Sequence, residues 1–192
     1  MDSTMTERDN EEDALGAYFD ANPVHHETTE RWPVQGELRV RLGIASTLPP
    51  ARVSSSILAI VLSADHQVLF LHPTTPSGSI SHVLIGGRPE GNETPEQTAI
   101  REVGEETGWR IEPIRVIGFR HFFHLEPYSP KSDRPYPDFV QPVFAARAIA
   151  FDPAIVVPGD RIPAEFIDCA NAERLIEPSQ RPLLRAAVSA LQ

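Results

Sequence analysis

Residues 86–109 read GGRPEGNETPEQTAIREVGEETGW, and within them Glu102, Glu105 and Glu106 fall at i, i+3 and i+4. On an α-helix those three side chains leave from one face, where like charges cost a few tenths of a kcal/mol per pair. Arg101 is the nearest cation along the chain. Three acids stacked this way call for a bound cation, and carboxylates that leave positions open to water or phosphate suit Mg²⁺ or Mn²⁺. The ends of the helix are marked as well. Thr94-Pro95-Glu96-Gln97 combines an N-cap, a proline at the first helical position and the partner of a capping box, and Gly108 stands where a left-handed C-terminal cap belongs. Ala99, Ile100, Val103 and Thr107 form the opposite, core-facing stripe. An interior Gly104 costs about 1 kcal/mol relative to alanine, so it implies a close approach to the helix backbone.

Outward from this helix the chain alternates between strands and turns. Leu38, Val40, Leu42 and Ile44 have the period of a half-buried strand. Ile57 to Leu62 is a continuous apolar run, turned at Ala64 to Gln67 into Val68 to Leu71, which predicts a hairpin. A short strand at His82 to Ile85 leads into Gly86-Gly87. Ile114 to Leu125 and Phe139 to Ala150 read as two longer strands, with Pro142 placing the second at an edge or a bulge. Leu183, Leu184, Ala187, Val188 and Leu191 mark a closing amphipathic helix. Strands on either side of a buried helix make the fold class α/β, a mixed sheet covered by helices on both faces. Residues 1–35 are acidic and turn-rich, with a short helix at Glu11 to Phe19, and read as an arm preceding a domain at 36–192. Its few bulky apolar residues predict that deletion leaves catalysis intact, unless Leu15, Tyr18 and Phe19 pack against a neighbour.

The 192 residues carry a net charge of -10, which argues against general nucleic-acid binding, since that uses Lys and Arg to neutralise phosphates. Cys169 is the one cysteine, so an intramolecular disulfide is ruled out and a reducing cytoplasm fits. No apolar run reaches the length of a membrane span, and Met1 to Asn10 is polar and acidic, unlike a signal peptide. His25-His26 sits in a polar segment and reads as solvent-exposed rather than metal-binding.

Taken in order as Gly87-x5-Glu93-x7-Arg101-Glu102-Val103-x-Glu105-Glu106-x-Gly108, the segment resembles the Nudix box, signature of a family that hydrolyses nucleoside diphosphates linked to another moiety. It departs from that pattern at Trp109, normally a bulky aliphatic, and at Ile85, often proline. The resemblance implies an α/β/α sandwich with a central mixed β-sheet. It also implies that Glu102 and Glu106 ligate the principal ion, Mg²⁺ or Mn²⁺, with Glu105 in the same cluster and the carbonyl of Gly86 completing the shell. Arg101 would orient the glutamates and Glu93 would support the loop or pair with Arg101. The catalytic assignment is therefore Glu105, Arg101 and Glu93, with a general base from the box or from Glu126, Asp133 or Asp138.

Specificity is expected from outside the box. The loop from Glu126 to Asp138 is rich in proline and edged with aromatics, and Tyr128, Tyr136 or Phe139 would stack on a base while Arg88 meets phosphate. The expected partner is a small nucleotide-linked diphosphate such as a nucleotide sugar, ADP-ribose or a dinucleoside polyphosphate, in the cytoplasm, with a homodimer left open. Two other classes stand beside this pyrophosphohydrolase. One is a Nudix-fold binding or regulatory module without turnover, opposed by the intact Arg101-Glu102 and Glu105-Glu106 pairs. The other is an RNA-decapping enzyme, opposed by the acidic balance.

Overall fold

Thr94 starts the acidic helix as its sequence dictates: its hydroxyl accepts from the Gln97 amide at 3.2 Å and its own amide donates to the Gln97 side chain at 2.8 Å. In the computed structural model, which describes residues 7–73, 82–159 and 162–192, this helix, α2, spans Pro95–Thr107. Gly108 ends it at φ 80°, a left-handed conformation open to glycine, and donates to the Gly104 carbonyl at 2.8 Å. The elements before it are α1 (Glu7–Ala21), β1 (Val24–Trp32), β2 (Gly36–Ile44), β3 (Ile57–Leu62), β4 (Val68–Leu71) and β5 (Ile85–Gly87). After it come β6 (Trp109–His124), β7 (Asp138–Phe151), β8 (Ala164–Ile167), α3 (Cys169–Leu175) and α4 (Arg181–Ala190).

The strands form one sheet in the order β1-β2-β6-β7-β3-β4-β8, with β5 paired to β3. Among the described strands only the β3–β7 pair is parallel, Leu58 facing Val143, so the sheet is mixed. Alternation along β3 splits the core. Leu58, Ile60 and Leu62 join Leu183, Leu184 and Ala187 of α4 on one face, while Ile57, Ala59 and Val61 join Ala99 and Val103 of α2 on the other. Helices thus cover both faces. The expected α/β/α sandwich is the architecture found.

Of the two places read for Pro142 the structure takes the bulge, and Gly104 meets the close approach read for it. Pro142 does not put β7 at an edge, because β6 and β3 flank it; it lies opposite Phe119, beside a register shift between Val116 and Gly118 and just before the β3 pairing begins. The bulge absorbs the proline. The interior Gly104 is explained by the turn at Pro153–Ile155: a Cβ there would come within 3.1 Å of Ile155 Cδ1.

The expectation that changes concerns the arm, of which residues 1–6 lie outside the described residues. Val24–Trp32 pairs along its length with β2, so the boundary drawn at 35 falls inside a hairpin. The helix before it is longer than Glu11 to Phe19 and is anchored by Leu15 and Tyr18, both buried against Ala45, Val53, Phe119 and Val140 of the same chain. Tyr18 meets the Phe119 ring edge-on at 5.4 Å and its hydroxyl donates to the Thr47 carbonyl at 3.3 Å. Charge and turn residues obscured a strand whose inner partners all lie on β2. Tyr18→Ala is expected to cost roughly 3 kcal/mol, a drop in Tm of about 10 °C. Deleting residues 1–35, which bares the edge of β2, should lower Tm further. An unchanged melting curve for either protein would show that this element is detached.

Candidate active site

Two glycines make room for the acidic face of α2. A Cβ on Gly86 would stand 2.8 Å from the Ile57 carbonyl oxygen of β3, and one on Gly87 would stand 1.9 Å from the carboxyl carbon of Glu102. The first glycine therefore lets β5 lie flat on β3, and the second lets Glu102 fold back over the turn. Residues 88–94 then return the chain to α2 as a loop whose form depends on Arg101.

The Arg101 side chain is 17% exposed and each of its three nitrogens donates a hydrogen bond. Nε donates to Glu93 at 2.8 Å, Nη1 to Glu105 at 2.9 Å, and Nη2 to the Arg88 carbonyl at 2.7 Å and to Glu93 at 3.1 Å. Glu102 approaches Nη2 at 3.1 Å. One guanidinium thus ties the loop to the helix. Glu93 reaches further, accepting from the Glu90 amide and the Thr98 hydroxyl. Hydrogen bonding to Arg101 in the first place, then to the Glu90 backbone, holds its carboxyl down at about 2.

Glu102 behaves in the opposite way. Burial pushes its carboxyl up, and Arg101 offsets this only in part. A half-buried carboxylate whose charged form is disfavoured, beside two more carboxylates, is the electrostatic condition of a cation receptor. Glu102, Glu105 and Glu106 line one open cleft of about 440 Å³ with Glu90, Arg101, Gly159 and Ile162. The far wall is fixed by backbone, since Val157 and Ile162 donate to the carbonyls of Glu105 and Glu106, both at 3.3 Å. An all-oxygen donor set around an anionic cleft fits a hard dication.

The residues expected to choose the substrate fall into different places. Arg88 pairs with Asp133, joining the box loop to the Glu126–Asp138 loop. Tyr128 and Tyr136 are 51% and 44% exposed and meet edge-on at 5.6 Å. Phe139, by contrast, is fully buried and stacked on Phe122 at 4.6 Å, so it offers no face to a base. The alternation of β7 turns it into the core. Of the outside acids, Glu126 pairs with Arg31 of β1 at 2.7 Å and Asp138 with His121 at 2.5 Å, which leaves Asp133 as the one joined to the box loop. His25 is exposed on β1.

Arg134 and Gln141 carry no sequence signal, yet they connect the same region. Arg134 donates to the hydroxyls of Ser55 and Ser56 at 2.8 and 2.9 Å, and Gln141 donates to the Ile57 carbonyl at 3.0 Å, beside Gly86.

A model of the NUDIX domain matches residues 53–187. The chain belongs to the Nudix family. That family comprises hydrolases that act on diphosphate bonds and generally use divalent metal ions. A Vibrio vulnificus NAD-capped RNA hydrolase, NudC, is 37% identical over 82 residues, covering 43% of this chain and 31% of the relative. A Myxococcus xanthus protein named octanoyltransferase is 36% identical over 77 residues, 40% of this chain and 21% of its own. The Nudix chain therefore spans less than a third of the length of these relatives. The fold is shared with a Bacillus subtilis pyrophosphohydrolase, BsRppH, at TM-score 0.56 and 13% identity, covering 86% of this chain and 97% of that one. A Nudix hydrolase from Nitrosomonas europaea has TM-score 0.50 and 19% identity, with 72% and 88% covered.

Two outcomes follow from this Nudix site. Gly87→Ala should drive Glu102 out of the turn and weaken divalent-cation binding by about tenfold or more while the fold persists, measured by cation titration beside Tm. A variant that binds as wild type does would show that Glu102 is placed by something else. Glu93 sits below its ordinary 4.5 in the folded chain, so its pairing stabilises fully above about pH 4.5 and is lost as pH falls to about 2. The Tm advantage of wild type over Glu93→Gln should accordingly be flat near neutrality and vanish by pH 2, and an advantage that persists there would refute the pairing.

Proposed function

We propose that this Nudix chain is a Mg²⁺- or Mn²⁺-dependent pyrophosphohydrolase that splits the diphosphate of a nucleoside diphosphate linked to another moiety. The observation carrying the proposal is Arg101, held by Glu93, Glu102, Glu105 and the Arg88 carbonyl beside an open cleft that Glu102, Glu105 and Glu106 line. An arginine so engaged positions carboxylates. Glu102, Glu105 and Glu106 would hold the ion, with the Gly86 carbonyl. When bound, the ion supplies charge for the non-bridging phosphate oxygens and acidifies a water. Cleavage requires water to attack one phosphorus in line while the bridging oxygen leaves with the other phosphate, which gives two phosphomonoesters.

The chain's own residues set the stage for that attack. Glu93 and Arg101 hold the loop and helix at fixed separation, and Arg88 is the nearest cation for a distal phosphate once it exchanges Asp133 for substrate. Tyr128 and Tyr136 offer exposed rings to a base. Nucleotide sugars, ADP-ribose and dinucleoside polyphosphates meet these requirements. A second reading has specific support: the Vibrio relative is named an NAD-capped RNA hydrolase, and a capped end presents the same internal diphosphate.

Product analysis on ADP-ribose, a nucleotide sugar, a dinucleoside polyphosphate, free NAD and NAD-capped RNA separates these readings. Hydrolysis should require Mg²⁺ or Mn²⁺, stop on exhaustive chelation and return on readdition. Glu106→Gln should keep the wild-type Tm and lower kcat by about 10² or more. Undiminished turnover by that variant, or by metal-free protein, would overturn the proposal.

A further inference from the structure

Beyond β4, on the far side of β3 from β7, three side chains from three separate β segments meet on one face. His72 follows the last residue of β4, Glu165 lies on β8, and His82 precedes Val83, which exchanges two backbone hydrogen bonds with Leu71 at 2.9 and 3.1 Å. The pleat explains the meeting. Glu165 is the cross-strand partner of Phe70, His72 is two residues on and so on the Phe70 side of the strand, and His82 packs edge-on against both the Phe70 and His72 rings, at 6.1 and 4.5 Å. One ligand atom from each of the three lies within 4.8 Å of the others.

We propose that His72, His82 and Glu165 form a second metal site, for a zinc-class ion, that ties the lead-in to β5 onto the edge strand β8. The His72 Nε2 atom is fully buried and has no hydrogen-bond partner, although Glu165 Oε1 stands 3.2 Å away. That separation is close to the roughly 3.3 Å between two tetrahedral ligands of a zinc ion. A pair of His72 with Glu165 does not account for His82, which brings a second imidazole to the same point. Two imidazoles and a carboxylate are the donor set of Zn²⁺ and its borderline neighbours. Glu165 is 61% exposed, so its side chain is free to swing the short distance that closes the set. The site differs in kind from the all-carboxylate cleft on α2, which takes hard cations. It also acts at a distance from the chemistry, since Ile85 of β5 follows His82 by only three residues and continues into Gly86-Gly87.

The experiment is a titration of metal-free full-length protein with Co²⁺, read by its visible absorption, followed by displacement with Zn²⁺. Wild type and Glu106→Gln should alike develop the band of an imidazole-ligated ion of low coordination number at one equivalent, and both should gain Tm with Zn²⁺. His82→Asn and Glu165→Gln should weaken binding by about 10² or more, above the 10- to 100-fold that loss of an outer-shell partner costs. Neither substitution removes a buried side chain, and circular dichroism without metal should match wild type. His72→Asn should abolish the band. An ion pair only would give no band at one equivalent in wild type, or a band that survives both His82→Asn and Glu165→Gln, and either result overturns the site.

Discussion

A single guanidinium organises this molecule's chemistry. Arg101 is the point at which the loop after β5 and the acidic face of α2 are held in one arrangement, and all three nitrogens of its planar fork meet acceptors around it. Lysine would supply the charge but not the fork. One positive charge nonetheless faces Glu93, Glu102, Glu105 and Glu106, so the cluster remains anionic after Arg101 has done all it can. Glu93, drawn furthest toward the arginine, keeps its charge most firmly, while Glu102, the more buried, holds its charge at a cost. That asymmetry sets the carboxylate that braces the loop apart from those that line the cleft.

A second chain of contacts leads away from the same loop. Arg88 reaches Asp133, the neighbouring Arg134 reaches Ser55 and Ser56, and Gln141 reaches the Ile57 carbonyl under Gly86. The loop between β6 and β7 is thereby connected both to the box loop and to the strand that supports it. Arg134 also lies over the Phe139 ring at 5.2 Å, so the buried aromatic serves the site as a platform for a cation.

What the chain discloses in one dimension is local. Thr94, Pro95, Gln97 and Gly108 delimit α2 because capping is settled within four residues, and Glu102, Glu105 and Glu106 share a face because helical spacing is rigid. The continuous run Ile57 to Leu62 is legible as a buried central strand for the same reason. Val24 to Trp32 is not, since half its side chains are polar and exposed and its pairing is decided by β2. Phe139 and Tyr136 look alike in sequence and part company because Phe139 lies on β7 facing the core while Tyr136 stays in the loop before it. Arg134 and Gln141 acquire meaning from serines and a carbonyl more than 75 positions earlier in the chain. His72, His82 and Glu165 are equally unreadable until the strands are paired.

The parallel pairing of β3 with β7, Leu58 facing Val143, encloses β4, β5, α2 and β6 within the chain it closes. Closing so long a loop is entropically slow, and non-local strand pairing sets the pace of folding in such topologies. α2 precedes β7 in the chain, so a partly made chain carries the acidic segment without the central strand pair it lies across.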